Sequence, residues 1–189
     1  MMKANGKGGD LLIIKPYKGK WPKIHPAAWI AENATIVGDV TIGENSSVWY
    51  GAVLRADYTA IRIGKNTNIQ DLVLCHGDGD APLIIGDNCT VGHCAVVHGC
   101  VVDDHSLIGM GATLLNNSHI GRDSLVAAHA LVRGGLQVPP RSAVMGVPGK
   151  IVRQTSDEDM EWFDSDVEKY KMLAANQLPT YEELMAQER

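Results

Sequence analysis

An aliphatic side chain returns every sixth residue over most of this chain, and that period constrains the fold more than any other feature. The run opens with Ile30, Ile36, Ile42, Val48 and Leu54, and the residue two before each is usually small (Ala28, Ala34, Val40, Ser46, Ala52). After an interruption at Asp57 to Ala60 it resumes at Ile63, Ile69 and Cys75. After the loop His76-Gly-Asp-Gly-Asp-Ala-Pro82 it restarts at Ile85, Val91 and Val97. One residue is dropped after His98, and the period then continues through Val102, Ile108, Leu114, Ile120, Val126, Val132, Val138 and Val144. A helix would space its apolar residues by three and four, and a hairpin sheet would not hold one spacing over nineteen rungs. Each unit instead reads as a short strand with one inward aliphatic, followed by a turn such as Gly43-Glu-Asn45, Gly64-Lys-Asn66 or Gly86-Asp-Asn88, whose residues tolerate positive φ. Three such strands close one triangular coil, so the expected fold is an all-β solenoid, a parallel β-helix of about six coils.

Composition fits a thinly packed repeat: 20 Gly beside one Phe, four Trp and five Tyr. The 189 residues suit a single core, with the solenoid expected over 11–154, a mobile tail over 1–10 and a helical segment over 155–189. In that last segment Thr155-Ser-Asp-Glu158 has the pattern of a capping box, and Met160, Phe163, Val167, Tyr170 and Leu173 recur at helical spacing. Pro179 ends this helix, and Thr180-Tyr-Glu-Glu183 repeats the box before a second, short one. The formal net charge of −5 offers no basic footprint for nucleic acid, and no apolar run is long enough for a membrane span. Four cysteines without an export signal read as reduced thiols, which points to the cytoplasm.

Three of the seven histidines are separated from the rest by their register on the rungs. His76 follows Cys75 by one residue and His98 follows Val97 by one, and these two rungs are one full coil apart. The two imidazoles therefore stack at one corner, about 4.8 Å apart, a spacing that suits two ligands of one metal ion. His93 lies two residues after Val91, near a different corner, out of reach of that pair in its own chain. In a three-fold assembly a neighbouring chain can bring its His93 to the stacked pair. Three imidazoles with an open position describe a catalytic zinc site.

The segments Leu54-Arg-Ala-Asp57, Asn68-Ile-Gln-Asp71, Leu74-Cys-His76 and Val91-Gly-His93-Cys-Ala-Val-Val-His98-Gly99 closely resemble the γ-class carbonic anhydrases, as do Ile108-Gly-Met-Gly-Ala112 and Gly146-Val-Pro-Gly-Lys150. The resemblance runs over about residues 11 to 175. It implies a left-handed β-helix, a homotrimer with metal sites at the subunit interfaces, and reversible hydration of carbon dioxide to bicarbonate. It implies His76, His93 and His98 as ligands of Zn²⁺, with Fe²⁺ or Co²⁺ as alternatives that imidazole also accepts. It implies Gln70, whose amide would orient the attacking oxygen, and Asn68, lining the same pocket, as catalytic residues, and Arg55, Asp57 and Asp71 as charges at the subunit interface. Tyr170 is the one residue of the C-terminal aromatic stripe that could reach such a site.

Two departures matter. Ala56 stands where the family's Arg-Gly-Asp motif has Gly, and the loop after His76 is short, leaving only Asp78 and Asp80 as candidate proton carriers, so slow turnover is expected. Two other classes stay open: a hexapeptide acyltransferase that uses acyl-CoA and one interfacial His as base, and a non-catalytic metal-binding or assembly module. Cys75 occupies an inward rung and is expected to fill the core rather than to bind metal.

Overall fold

A computed structural model describes residues 12–177; the expected tail over 1–10 and the second short helix after Pro179 lie outside the described residues. All nineteen rung side chains from Ile30 to Val144 are buried, so the period is the core. They line the inside of a parallel β-solenoid whose strands fall on three faces. The first face carries Leu74–His76 beside Val96–His98, with Cys75 opposite Val97, and the second carries Leu83–Ile85 beside Val101–Val102. The third carries Asn68–Ile69 beside Thr90–Val91. Strands Thr35–Ile42 and Val53–Ile63 run through the corner between the first two faces, which joins these into one 12-stranded sheet; the third face forms an 8-stranded sheet.

The solenoid has about seven coils rather than the expected six. The additional coil is built from strands Ile13–Lys15 and Lys23–Ile24, which pair with Thr35–Ile42. Its rungs escape the six-residue period because a small turn, closed by a bridge between Tyr17 and Lys20, separates them.

Division of labour in the turns differs from the sequence expectation. Positive φ falls on Asn45, Asn66 and Asn88, at 55°, 53° and 54°, where an Asn pays little steric penalty. Their amides stack, Asn66 Nδ2 donating to Asn88 Oδ1 at 2.9 Å. The glycines before them serve close approach instead: a Cβ on Gly64 would lie 2.5 Å from the Gly86 carbonyl oxygen.

The chain leaves the solenoid through strand Lys150–Gln154, which turns back antiparallel onto Ser142–Met145, and enters the helix α1 (Asp157–Gln177). The capping box is one residue later than expected. Ser156 Oγ accepts from Asp159 N at 3.2 Å, while Asp159 Oδ2 accepts from Ser156 N at 2.6 Å. Thr155 instead donates its hydroxyl to the Asp123 carbonyl at 2.8 Å, and the Arg153 guanidinium holds the Asp159 carboxyl well below the usual range. Phe163, Val167, Tyr170 and Ala174 form the buried face of α1. That face lies across the third face of the solenoid, over Ser47–Val48, Asn68–Ile69 and Thr90–Val91, and Trp49 meets the Tyr170 ring edge-on at 5.1 Å. His105 pins the middle of the helix, with Asp123 on one ring nitrogen and Asp164 of α1 on the other, at 2.8 and 3.0 Å.

Candidate metal centre

His76 and His98 end adjacent strands and are register partners, as their rung positions require. Their ring centroids are 5.0 Å apart, and His76 Nδ1 faces His98 Nε2 at 3.0 Å. The outer nitrogen of each ring is already engaged. Asp57 Oδ1 lies 2.8 Å from His76 Nε2, and Asn116 Oδ1 is bonded to His98 Nδ1. Burial would raise the Asp57 carboxyl, but the hydrogen bonds from His76 and Arg55 outweigh it and hold Asp57 below its ordinary value, hence ionised and accepting only. A carboxamide oxygen likewise only accepts. Each outer nitrogen must therefore carry the proton, and in the neutral rings the two nitrogens that face each other at 3.0 Å are both lone pairs. Two lone pairs at that separation repel unless a cation lies between them, and two nitrogens sharing one ion at about 2.0–2.1 Å each would stand about 3 Å apart. The donor set at this corner fits a metal ion.

His93 sits at the corner between the third and first faces, in the turn between Thr90–Val91 and Val96–His98. Asp71, one coil earlier at the same corner, holds it: Asp71 Oδ2 is 2.8 Å from His93 Nδ1. The Tyr170 hydroxyl, delivered by α1, donates to His93 Nε2 at 3.3 Å. Burial, with the Asp166 and Asp71 charges behind it, pushes the Tyr170 phenol up to about 12, so it remains a donor at neutral pH. Among the described residues of one chain, no three His, Cys, Asp or Glu side chains converge on a common metal position.

Gln70 and Asn68 lie with His93, beneath the helix. Gln70 Oε1 accepts from His93 N at 3.2 Å, Gln70 Nε2 donates to Asn68 Oδ1 at 3.0 Å, and Asn68 Nδ2 donates to Thr90 Oγ1 at 2.8 Å. Both side chains are buried. Within one chain Arg55 pairs with Asp57, and Asp71 pairs with His93; Arg55 and Asp71 stand at different corners. Asp78 and Asp80 are exposed on the turn after His76. Cys75 is buried, and desolvation drives its thiol far up, as suits a core residue.

Each of the three imidazoles thus has an oxygen acceptor on one nitrogen, the arrangement that orients histidines at metal sites; the other nitrogens of His76 and His98 face each other, while that of His93 accepts from the Tyr170 hydroxyl. The acceptors of His76 and His98 were not legible as such: Asp57 stood only as an interface charge, and Asn116 not at all. A position at the same corner one coil after Gly99 is the signal that could have found Asn116.

A family model, the bacterial transferase hexapeptide of six repeats, matches residues 22–56. Gamma carbonic anhydrase 1 of Arabidopsis thaliana, mitochondrial by its name, is 42% identical over 161 residues, 82% of this chain and 58% of that protein. The carbonic anhydrase of Geobacillus kaustophilus is 42% identical over 148 residues, 78% of this chain and 81% of that one. The crystal structure of a hexapeptide transferase family protein from Anaplasma phagocytophilum superimposes with a TM-score of 0.83 at 35% identity, covering 88% of this chain and 98% of that one. By fold this is a hexapeptide-repeat β-solenoid protein. The chain belongs to the gamma carbonic anhydrase family, and it spans less than two thirds of the length of the Arabidopsis relative.

Proposed function

We propose that the chain catalyses the reversible hydration of carbon dioxide to bicarbonate at metal sites between the subunits of a homotrimer. His76 and His98 of one protomer and His93 of its neighbour hold the ion. The observation that carries this reading is the pair of facing imidazole nitrogens at 3.0 Å, both left bare by their outer partners. Zn²⁺ suits three imidazoles with an open position, and Fe²⁺ and Co²⁺ accept the same donors. When bound, the ion supplies the Lewis acidity that makes water a nucleophile near neutral pH.

The remaining residues orient and exclude. Asp57 and Asp71 fix the ring planes of His76 and His93. Gln70, clamped between Asn68 and the His93 backbone, presents an amide whose geometry is set before substrate arrives. The Tyr170 hydroxyl, bonded to the His93 nitrogen that would hold the ion, would serve as a donor at the edge of the pocket. Asp78 and Asp80, exposed on the short turn after His76, are the carboxylates that loop offers for proton transfer, and slow turnover is expected from so short a loop. Arg55 serves at the subunit contact. The four cysteines are free, which suits a reducing compartment such as the cytoplasm.

An acyl-CoA-dependent acyltransferase is the second reading, favoured by the transferase naming of the matched family model and of the Anaplasma structure. Metal stoichiometry and carbon dioxide hydration, measured on protein prepared with zinc and anaerobically with iron, separate the readings when run beside an acyl-CoA consumption assay. Hydration tied to bound metal supports the proposal; acyl-CoA consumption without hydration replaces it. Metal without either activity leaves a binding module. Gln70→Ala should keep its metal and lose roughly 10- to 100-fold in hydration rate. Parallel loss of metal and rate would make Gln70 structural.

A further inference from the structure

We infer that Asn116 is a positioning residue of this centre, selecting the His98 tautomer that leaves Nε2 bare toward His76. The inference rests on the metal-site reading above. The backbone holds this side chain firmly. The Asn116 carbonyl accepts from Gly135 N at 2.9 Å, and the next residue, Asn117, donates its N–H to the Gly99 carbonyl at 2.7 Å. Gly99, immediately after His98, has φ +53°, and a Cβ there would lie 3.0 Å from Asn116 Oδ1 and 2.9 Å from the Ala81 side chain. The bare α-carbon of Gly99 is what lets the carboxamide oxygen reach His98 Nδ1. The contact is thus built from two coils, and it ends on a ligand rather than on solvent.

Its chemistry differs from that of the other two partners. His76 and His93 lean on carboxylates, Asp57 and Asp71, whereas His98 leans on a neutral amide. An amide oxygen can only accept, so it draws the proton to Nδ1 and leaves the lone pair on Nε2, where His76 Nδ1 waits 3.0 Å away. Without an acceptor at position 116, His98 can place its proton on Nε2 and point a hydrogen at the metal position. Outer partners of this kind change metal affinity by about 10- to 100-fold when removed.

The test compares Asn116→Leu, which keeps the volume and loses the acceptor, with Asn116→Asp, which keeps an acceptor. Zinc dissociation constants are measured by chelator competition on the assembled protein, with circular dichroism to verify folding. The Leu variant should bind zinc about 10- to 100-fold more weakly, and Asp should restore most of the loss. Nitrogen-15 NMR of the imidazoles in zinc-loaded wild type should find His98 coordinated through Nε2 with its proton on Nδ1. Coordination through Nδ1 overturns the inference whether or not the Leu variant folds. So does a folded Leu variant with wild-type affinity, or an Asp variant as weak as Leu, which would mark a packing role. A wild type that takes up no zinc or iron refutes the metal site itself and this inference with it, whereas metal-binding wild type with an indifferent position 116 refutes the inference alone.

Discussion

Alanine at His76, His93 or His98 should empty the protein of metal while leaving the solenoid folded. Four-ligand zinc sites supply about 10–16 kcal/mol, so one ligand of the set is worth on the order of 3 kcal/mol, or a hundredfold or more in affinity. Hydration should fall with it to near background. The fold should tolerate each change because none of the three side chains belongs to the buried aliphatic core, which is complete without them. Metal analysis beside thermal melting checks both halves. A variant that keeps metal and activity removes that histidine from the site, and a variant that unfolds contradicts the separation of site from core.

The second large effect is on the fold. Gly38→Ala should lower stability by about 2–4 kcal/mol, because the backbone there leaves no space for a side chain and holds a conformation that L-residues avoid. Gly38 has φ +85°, and a Cβ would lie 2.2 Å from the Ala56 carbonyl oxygen. The pairing of strands Thr35–Ile42 and Val53–Ile63 shifts register at this point. For a domain of this size that loss is a fall of roughly 5–15 °C in melting temperature. The displaced segment includes Asp57, the partner of His76, so zinc affinity should drop along with stability. An unchanged melting temperature would mean that the close approach of Gly38 to Ala56 does not govern the corner.

How far the sequence could be read depended on how regular each part of the coil is. Where an aliphatic must point inward every sixth residue, counting rungs placed His76 over His98 and set His93 at another corner, and the strand registers agree. Rung counting loses its grip wherever the chain departs from the period. Ile14 and Ile24 escaped it because a small turn at Tyr17 to Lys20 lies between them, and with them went the extra coil. The corners are harder still. Asp71 and Asn116 act through turn positions and Asp57 from strand Val53–Ile63 where it rounds the corner, places where the six-residue period does not fix the direction of a side chain, so their bonds to the three imidazoles followed only from the structure. The helix was legible from its apolar spacing, but its cap lies one residue later, on Ser156, because Thr155 is turned to the solenoid, where its hydroxyl donates to the Asp123 carbonyl.

On the proposed reading each site takes two ligands from one chain and the third from its neighbour, and mixing inactive subunits puts that arrangement to the test. His93→Ala and His76→Ala homotrimers should each be inactive. Denatured together in equal amounts and refolded, about three quarters of the rings contain both chains, and each such ring has one intact site in three. That interface joins a His93→Ala chain, which still offers His76 and His98, to a His76→Ala chain, which still offers His93. Activity should recover to about a quarter of wild type. Mixing His76→Ala with His98→Ala should recover nothing, because those two ligands always come from one chain. No recovery in the first mixture, with mixed trimers shown to have formed, or recovery in the second, would contradict the account.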